Sequence, residues 1–388
     1  MTVCFETFGC RLNKAEALQM EAEYLARGWK LTKVHKEADL FVVRGCSVTR
    51  RAQEDCERLI AHLRRRYPAK EVRVCGCLPQ ATRLKTREHS AADDVPVPTR
   101  TARAYLKVQD GCAGKCTFCI VPKFRGRSKP VDFVRVLDRA KRFVDAGYHE
   151  IVVTGCNLAL YASQGKRLPD LLLALADLDA GCRIRLGSVE PEIGTLETVR
   201  AMSERPNICR FLHLPIQSGS NRILQAMCRP YQLSDMDEII ATATALMPGL
   251  GLGCDLMTGF PDERELDFTA TAGLLKRYPF SKAHVFPYSR RPGTPAAGFP
   301  NQIPRIVKTA RARKLAEAAL AARRKFAQSF LGKTVELVVE DALKATGWTG
   351  EYLPCKIEGS AVPRKQLVRA MVYNVKGDLL RAHLIKAQ

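Results

Sequence analysis

No apolar run in the 388 residues approaches the roughly 18 needed to cross a bilayer. The opening Met1-Thr-Val-Cys-Phe-Glu6 has neither the basic start nor the apolar stretch of a secretory signal. A cytoplasmic location with no membrane partner is therefore expected. Acid is scarce as well: 40 Asp and Glu stand against 62 Lys and Arg, giving a net charge of +22. Such an excess favours a polyanionic partner, nucleic acid above all, over a basic surface kept for solubility. The most informative absence is a single ligand. Cys112, Cys116 and Cys119 lie four and three residues apart after a short apolar run, yet no fourth cysteine follows at loop range and the nearest downstream histidine is His149. Closed zinc sites use four ligands at short range. Three thiolates on one loop suit three corners of a four-iron cluster whose last iron is open to a small chelating ligand. A zinc loop is the alternative.

Cysteine itself is abundant, at fifteen. In a reducing compartment, cysteines at motif spacing read as metal ligands and most of the rest as core. A second set stands in the first hundred residues, where three apolar runs end in the same dipeptide. Val3–Phe8 leads to Gly9-Cys10, Leu40–Val43 to Gly45-Cys46, and Val72–Cys75 to Gly76-Cys77. Helical-period segments Ala15–Arg27 and Arg51–Arg66 separate them, so the order β-α-β-α-β implies a parallel sheet with all strands ending at one edge, where ligands bind. Cys10, Cys46 and Cys77 would meet there as a second cluster site, each glycine permitting close backbone approach. The alternative is three small buried thiols, the reading preferred for Cys4, Cys56 and Cys75. The proline-containing stretch Asp93–Arg100 reads as a linker.

Six strand-like runs follow: Ala104–Gln109, Glu150–Thr154, Arg183–Gly187, Arg210–Pro215, Gly253–Thr258 and Ala283–Phe286. With helical segments between them they predict an incomplete (β/α)6 barrel, with reacting groups at the carboxyl ends of its strands. Those ends carry Cys112, Gly155-Cys-Asn157, Ser188-Val-Glu190, His213 with Gln217, Asp255, and Phe286-Pro-Tyr288-Ser289. Glu190 also reads as an ion-pair partner and His213 as a satisfied interior histidine. Arg305–Phe330 reads as a basic helical connector carrying Arg311, Arg313, Lys314, Arg323, Arg324 and Lys325. Period-two runs Thr334–Val339, Tyr352–Ile357, Leu367–Val375 and Asp378–Ile385 then predict a small OB-like barrel. Trp348 and Tyr352 beside it could stack on bases or plug that barrel.

The chain resembles the methylthiotransferases, a branch of the radical S-adenosylmethionine (SAM) enzymes with two four-iron clusters. The resemblance rests on Cys112–Cys119 with aromatic Phe118, on Phe8-Gly-Cys10-Arg-Leu-Asn13, Val43-Arg-Gly-Cys46 and Val74-Cys-Gly-Cys77, and on Thr154-Gly-Cys-Asn157, Ser188-Val-Glu-Pro191, His213–Ser220 and Asp255–Pro261. Gly347-Trp-Thr-Gly-Glu-Tyr352 is similar to the RNA-binding TRAM domain of the same enzymes. The resemblance implies an α/β chain in four parts: an N-terminal cluster domain (1–98), a radical SAM partial barrel (103–300), a helical connector (301–330) and a TRAM domain (331–388). It implies SAM and two [4Fe-4S] clusters as cofactors, held by Cys112, Cys116 and Cys119 and by Cys10, Cys46 and Cys77. One SAM would methylate sulfur held at the N-terminal cluster; a second would yield the radical that activates a C–H bond. Gly155 and Asn157 suit the methionine end of SAM, Ser188 and Glu190 its ribose, and Phe118 its adenine, with Gln217 and Asp255 completing the mouth.

Family branches act on threonylcarbamoyladenosine in tRNA, on isopentenyladenosine in tRNA, or on a ribosomal-protein aspartate. Gly9-Cys10-Arg11-Leu12-Asn13 resembles the first, which implies the anticodon stem-loop as substrate. Lys123, Arg125 and Arg127 are candidate partners for its carboxylate or for RNA phosphate. A flavodoxin or ferredoxin would supply electrons. Two rivals are a zinc-containing RNA-binding protein and a radical enzyme whose second cluster only relays electrons. In place of the family's usual Asn-Thr before the middle cysteine the chain has Arg44-Gly45, and Cys228, Cys254 and Asp262 also depart from the pattern.

Overall fold

The structure, a computed structural model, describes residues 1–79, 96–191 and 194–385. Gln80, which ends one motif, and residues 93–95 of the expected linker lie outside them.

In the first part, strands Thr2–Thr7, Leu40–Gly45 and Glu71–Gly76 form a parallel sheet in the order Lys30–Leu31, Thr2–Thr7, Leu40–Gly45, Glu71–Gly76. Sequence periodicity does not reveal the two-residue edge strand Lys30–Leu31, which is too short to show alternation. Leu40–Gly45 is buried along its whole length, as a nearly continuous apolar run in a covered parallel sheet must be. Helix Arg50–Arg66 packs one face with Cys56, Ile60 and Leu63. Helix Arg11–Ala26 covers the other with Met20 and Tyr24. Its remaining side meets the next part of the chain, where Ala15 and Leu18 pack on Tyr105 and Val152.

The middle part contains six parallel strands in sequence order: Ala104–Lys107, Glu150–Thr154, Arg183–Leu186, Phe211–Gln217, Gly251–Thr258 and Phe280–Pro287. Single bridges Ile184–Ile208 and Ser188–His213 join the first three to the last three. Leu106, Ile151, Ile184, Leu212 and Leu252 lie in one continuous core with their covering helices.

The C-terminal part is a closed barrel in the order Thr334–Asp341, Thr346–Thr349, Pro354–Ile357, Leu379–Leu384, Leu367–Lys376. Thr346–Thr349 is a strand that the glycine-flanked sequence hides. Gly347 is required there, because a Cβ would fall 2.0 Å from the Val338 carbonyl oxygen. Helix Arg305–Gln328 links two cores, with Leu315 and Ala319 in the middle one and Phe326 and Ala327 in the C-terminal one.

Barrel strands start beside a buried ion cluster. Glu150 accepts from Arg183 Nε at 2.6 Å and Arg185 Nε at 2.7 Å, and pairs with Arg103 at 3.4 Å. The same arginines reach into the C-terminal barrel: Arg183 donates to the carbonyls of Glu336 and Trp348, Arg185 to those of Thr349 and Gly350, and Arg103 to Glu340. Burial alone would raise the Glu150 carboxyl, but Arg183, Arg185 and Arg103 hold it far below its usual range. A depressed pKa means that its contribution is full above the unfolded value near 4.3 and is lost only in strong acid. Replacing Glu150 with Gln leaves the buried guanidinium groups of Arg183 and Arg185 without counter-charge and Arg103 with Glu340 alone. We expect a loss of about 3–5 kcal/mol, read as a lower urea midpoint by tryptophan fluorescence in a Trp29→Phe background, where the signal is that of Trp348.

Candidate active site

Both cysteine trios lie at strand ends, where the sequence pattern puts them. In the first part, Gly9 has φ +98°, and a Cβ there would lie 2.7 Å from Cys46 Cβ and 2.9 Å from its Sγ. Only glycine lets these two tips close up. Asn13 ties them, donating to the Phe8 and Gly45 carbonyls at 2.9 and 2.8 Å, and the Cys77 amide donates to Gly45 O at 3.1 Å. Cys46 and Cys77 are buried and Cys10 is exposed. Burial pushes the Cys46 thiol up to about 11, with Cys10 and Cys77 adding to the effect.

In the second trio, Cys119 is likewise pushed up to about 11, chiefly by burial and further by Cys116 and Cys112. Gly114 sits where a Cβ would meet Cys112 Sγ at 3.2 Å and Cys116 Sγ at 3.8 Å. Its loop is pinned on both sides: Thr117 bonds the Ala226 and Met227 carbonyls, and the Ala296 amide donates to Thr117 O at 2.9 Å. Among the described residues, ligand atoms all within 4.8 Å of one another occur at Cys4, Glu6 and His35 and not in either trio. Three thiolates on each side suit three corners of an iron–sulfur cage.

Other expected residues divide. Phe118 packs edge-on to Phe260 at 6.5 Å beside the loop. Gly155 acts through its missing side chain, since a Cβ would strike Gln109 Oε1 at 2.9 Å and Leu158 at 2.8 Å. The neighbouring amides of Cys156 and Asn157 are taken by Gln109 Oε1 at 2.8 and 3.0 Å. Asn157 is buried, Ser188 is exposed, and Gln217 is buried in a left-handed conformation with φ +67° at its strand end. Glu190 is an ion-pair partner: it meets Arg229, which also donates to Cys116 Sγ at 3.1 Å and to Tyr231 Oη at 2.8 Å. Asp255 faces inward to His213 Nε2 at 3.2 Å and His284 Nδ1 at 3.7 Å.

Lys123 and Arg127 are exposed. Arg125 is not, because its guanidinium is committed to Cys77, Glu16, Asp110 and Asn13. Of the two readings of Tyr352, the surface base-stacker fails. The residue is 6% exposed and stacks on Phe211 at 4.7 Å, at the amino end of the middle barrel. Burial would raise its phenol, but Arg11, Lys282, Arg103 and Arg185 pull it down to about 7. Trp348 is tied to Glu340 through Nε1 at 2.9 Å. On the basic helix, Arg311 binds Glu263 and Arg323 binds Asp378, leaving Arg313, Lys314, Arg324 and Lys325 exposed.

Three site residues have roles that the sequence reading did not assign, although Gln109 and Arg229 lie within its motifs. Glu16 meets Arg44, Lys107 at 2.5 Å and Arg125 at 3.0 Å. Gln109 braces the loop through the Asp110 and Gly111 carbonyls and Ser128 Oγ. Arg229 holds Cys116. Their only trace is polarity inside otherwise buried segments, which does not say whom they meet.

Comparison with known proteins agrees with this architecture. Residues 106–275 match the radical SAM superfamily, and residues 2–97 match the uncharacterized protein family UPF0004. Over 92% of this chain and 91% of its own length, the Bacillus subtilis threonylcarbamoyladenosine tRNA methylthiotransferase MtaB is 30% identical. A Mycobacterium ulcerans tRNA-2-methylthio-N(6)-dimethylallyladenosine synthase is 31% identical over 86% of this chain and 72% of its own. The radical SAM methyltransferase TsrM from Kitasatospora setae shares the fold, with a TM-score of 0.55 over 76% of each chain at 12% identity. The class is that of radical SAM enzymes. Within it, the chain belongs to the methylthiotransferase family, enzymes that transfer a methylthio group with SAM and [4Fe-4S] clusters as cofactors.

Gln109 offers a test of the brace. Gln109→Ala frees the Cys156 and Asn157 amides and loosens the turn before Cys112 at once. We expect SAM to bind about tenfold more weakly, or about 1.4 kcal/mol, in anaerobic equilibrium dialysis.

Proposed function

We propose that the protein methylthiolates tRNA, converting N6-threonylcarbamoyladenosine at position 37, beside the anticodon, to its 2-methylthio derivative. In this reading Cys112, Cys116 and Cys119 hold the cluster that binds SAM, and Cys10, Cys46 and Cys77 hold the auxiliary cluster. When bound, these groups supply a carbon-centred radical and a place to keep sulfur. The protein's own part is positional. Arg229 and the Thr117 contacts hold the Cys112–Cys119 loop, Asn13 gathers the Cys10 and Cys46 tips, and Phe118 with Phe260 gives SAM an apolar wall.

The single observation that carries the substrate is Arg11. It occupies the position after Cys10 that differs among branches, and it is a partly buried cation at the start of the helix lining the barrel. A threonylcarbamoyl carboxylate is matched by cations such as Arg11, Lys123 and Arg127, whereas an isopentenyl group has no charge to match. Relatives named for threonylcarbamoyladenosine from B. subtilis and Aquifex aeolicus align over 91% and 100% of their lengths, which supports the same choice. A TRAM-like role for the C-terminal barrel is supported by its exposed face. There Tyr373 lies flat on His383 at 4.3 Å, with Lys376 and Arg369 on the same strand. A flavodoxin or ferredoxin is the expected reductant.

Two experiments test this. Reconstituted enzyme with SAM and reductant is given tRNA carrying either modified adenosine and, separately, ribosomal protein, with mass spectrometry of the products. Methylthiolation is expected on the threonylcarbamoyl tRNA; modification of the isopentenyl tRNA or of the protein alone would overturn the substrate. Ala at Cys112, Cys116 or Cys119 should abolish 5′-deoxyadenosine, whereas Ala at Cys10, Cys46 or Cys77 should spare some while abolishing thiolation. In the second experiment, Tyr373→Ala should weaken tRNA binding by about 1–3 kcal/mol, the usual worth of one stacked base, and binding should fall steeply with salt.

A further inference from the structure

Arg125 ends the short helix Val121–Arg125 that leaves the Cys112–Cys119 loop, and its side chain enters the Cys10, Cys46 and Cys77 trio. All five of its N–H groups are directed to acceptors. Nε donates to Cys77 Sγ at 3.0 Å. Nη1 donates to Asp110 Oδ1 at 2.9 Å and Glu16 Oε1 at 3.0 Å. Nη2 donates to Asn13 Oδ1 at 2.7 Å and Glu16 Oε2 at 3.0 Å. Asp110 lies two residues before Cys112, and Asn13 is the residue that gathers the Cys10 and Cys46 tips. One guanidinium therefore bonds to the base of one cysteine loop and to a sulfur of the other trio. Balancing Glu16 and Asp110 needs only positive charge. The Nε contact to sulfur needs the planar fork, which a lysine lacks.

We infer that Arg125 is a positioning residue that fixes the auxiliary cluster against the SAM-cluster loop and raises that cluster's reduction potential through its hydrogen bond to Cys77. The inference rests on the reading of Cys77 as a cluster ligand. A cationic N–H on a thiolate sulfur stabilises the more negative, reduced form of the cluster, one of the means by which a protein sets such potentials.

The test is an EPR-monitored redox titration of reconstituted full-length wild type, Arg125→Lys and Arg125→Gln, with the SAM-sensitive signal identified by adding SAM. Both variants should move the SAM-insensitive cluster to lower potential. At the wild-type midpoint the ratio of reduced to oxidised cluster should fall about tenfold, equivalent to about 59 mV. The methylthiolated product formed per 5′-deoxyadenosine should fall with it. An unchanged potential in variants with full iron content would overturn the inference. If neither variant accumulates folded, pulsed EPR of wild type carrying 15N-arginine decides: a 15N coupling on the auxiliary cluster is expected, and its absence overturns the proposal. Wild type with a single cluster would instead overturn the two-cluster reading beneath it.

Discussion

A single buried carboxylate holds the two cysteine trios in register. Glu16, on the helix between sheet and barrel, meets Arg44 from a strand of the first part, Lys107 from the first barrel strand, and Arg125 from beyond the cysteine loop. Taking any of these charges out of water costs several kcal/mol, and the attraction offsets this only when all partners arrive together. Such a cluster adds little net stability but penalises every arrangement that leaves one member alone. Burial would raise the Glu16 carboxyl, yet Arg44, Lys107 and Arg125 hold it far below its normal range. The departure at Arg44-Gly45 also finds its reason here. Arg44 supplies one of the three cations, and Gly45 makes room for Leu78, whose Cδ1 would lie 1.9 Å from any Cβ.

The middle barrel is polarised. Its strand ends carry the cysteine loop, Gln109 and the Arg229–Glu190 pair, whereas its strand starts carry Glu150 and the arginines that grip the C-terminal barrel. Chemistry and docking thus occupy opposite ends of the same strands. Loops at one end can adapt to the reaction while the other end keeps a fixed, solvent-excluded joint.

Much of this was legible in the sequence, for physical reasons. Apolar runs ending in Gly-Cys located three parallel strands, because a buried strand must be apolar and its turn must be tight. Glu150–Thr154 appears with the boundaries its valine-rich run suggests. The missed strand Thr346–Thr349 has glycine at its centre and on its flank, which reads as a turn unless the cross-strand neighbour is known. Side-chain roles were harder. Arg125 and Tyr352 looked like surface ligands because cations and aromatics near a motif usually are, but both are consumed by segments distant in sequence. Glu190 could be read either way until Arg229 was seen beside it.

The seating of Tyr352 also bears on how the chain folds as it is made. Domains generally fold from the N-terminus as they emerge from the ribosome. Here the floor under Phe211 is laid by a tyrosine that follows the whole barrel in sequence, and the carbonyls that occupy Arg183 and Arg185 arrive with it. Until that stretch is synthesised, the nascent barrel holds an uncovered aromatic and a partly unsatisfied ion cluster. The stretch around Tyr352 therefore completes the catalytic part, and a nascent chain that has not yet reached it has the strand-start end of its barrel open.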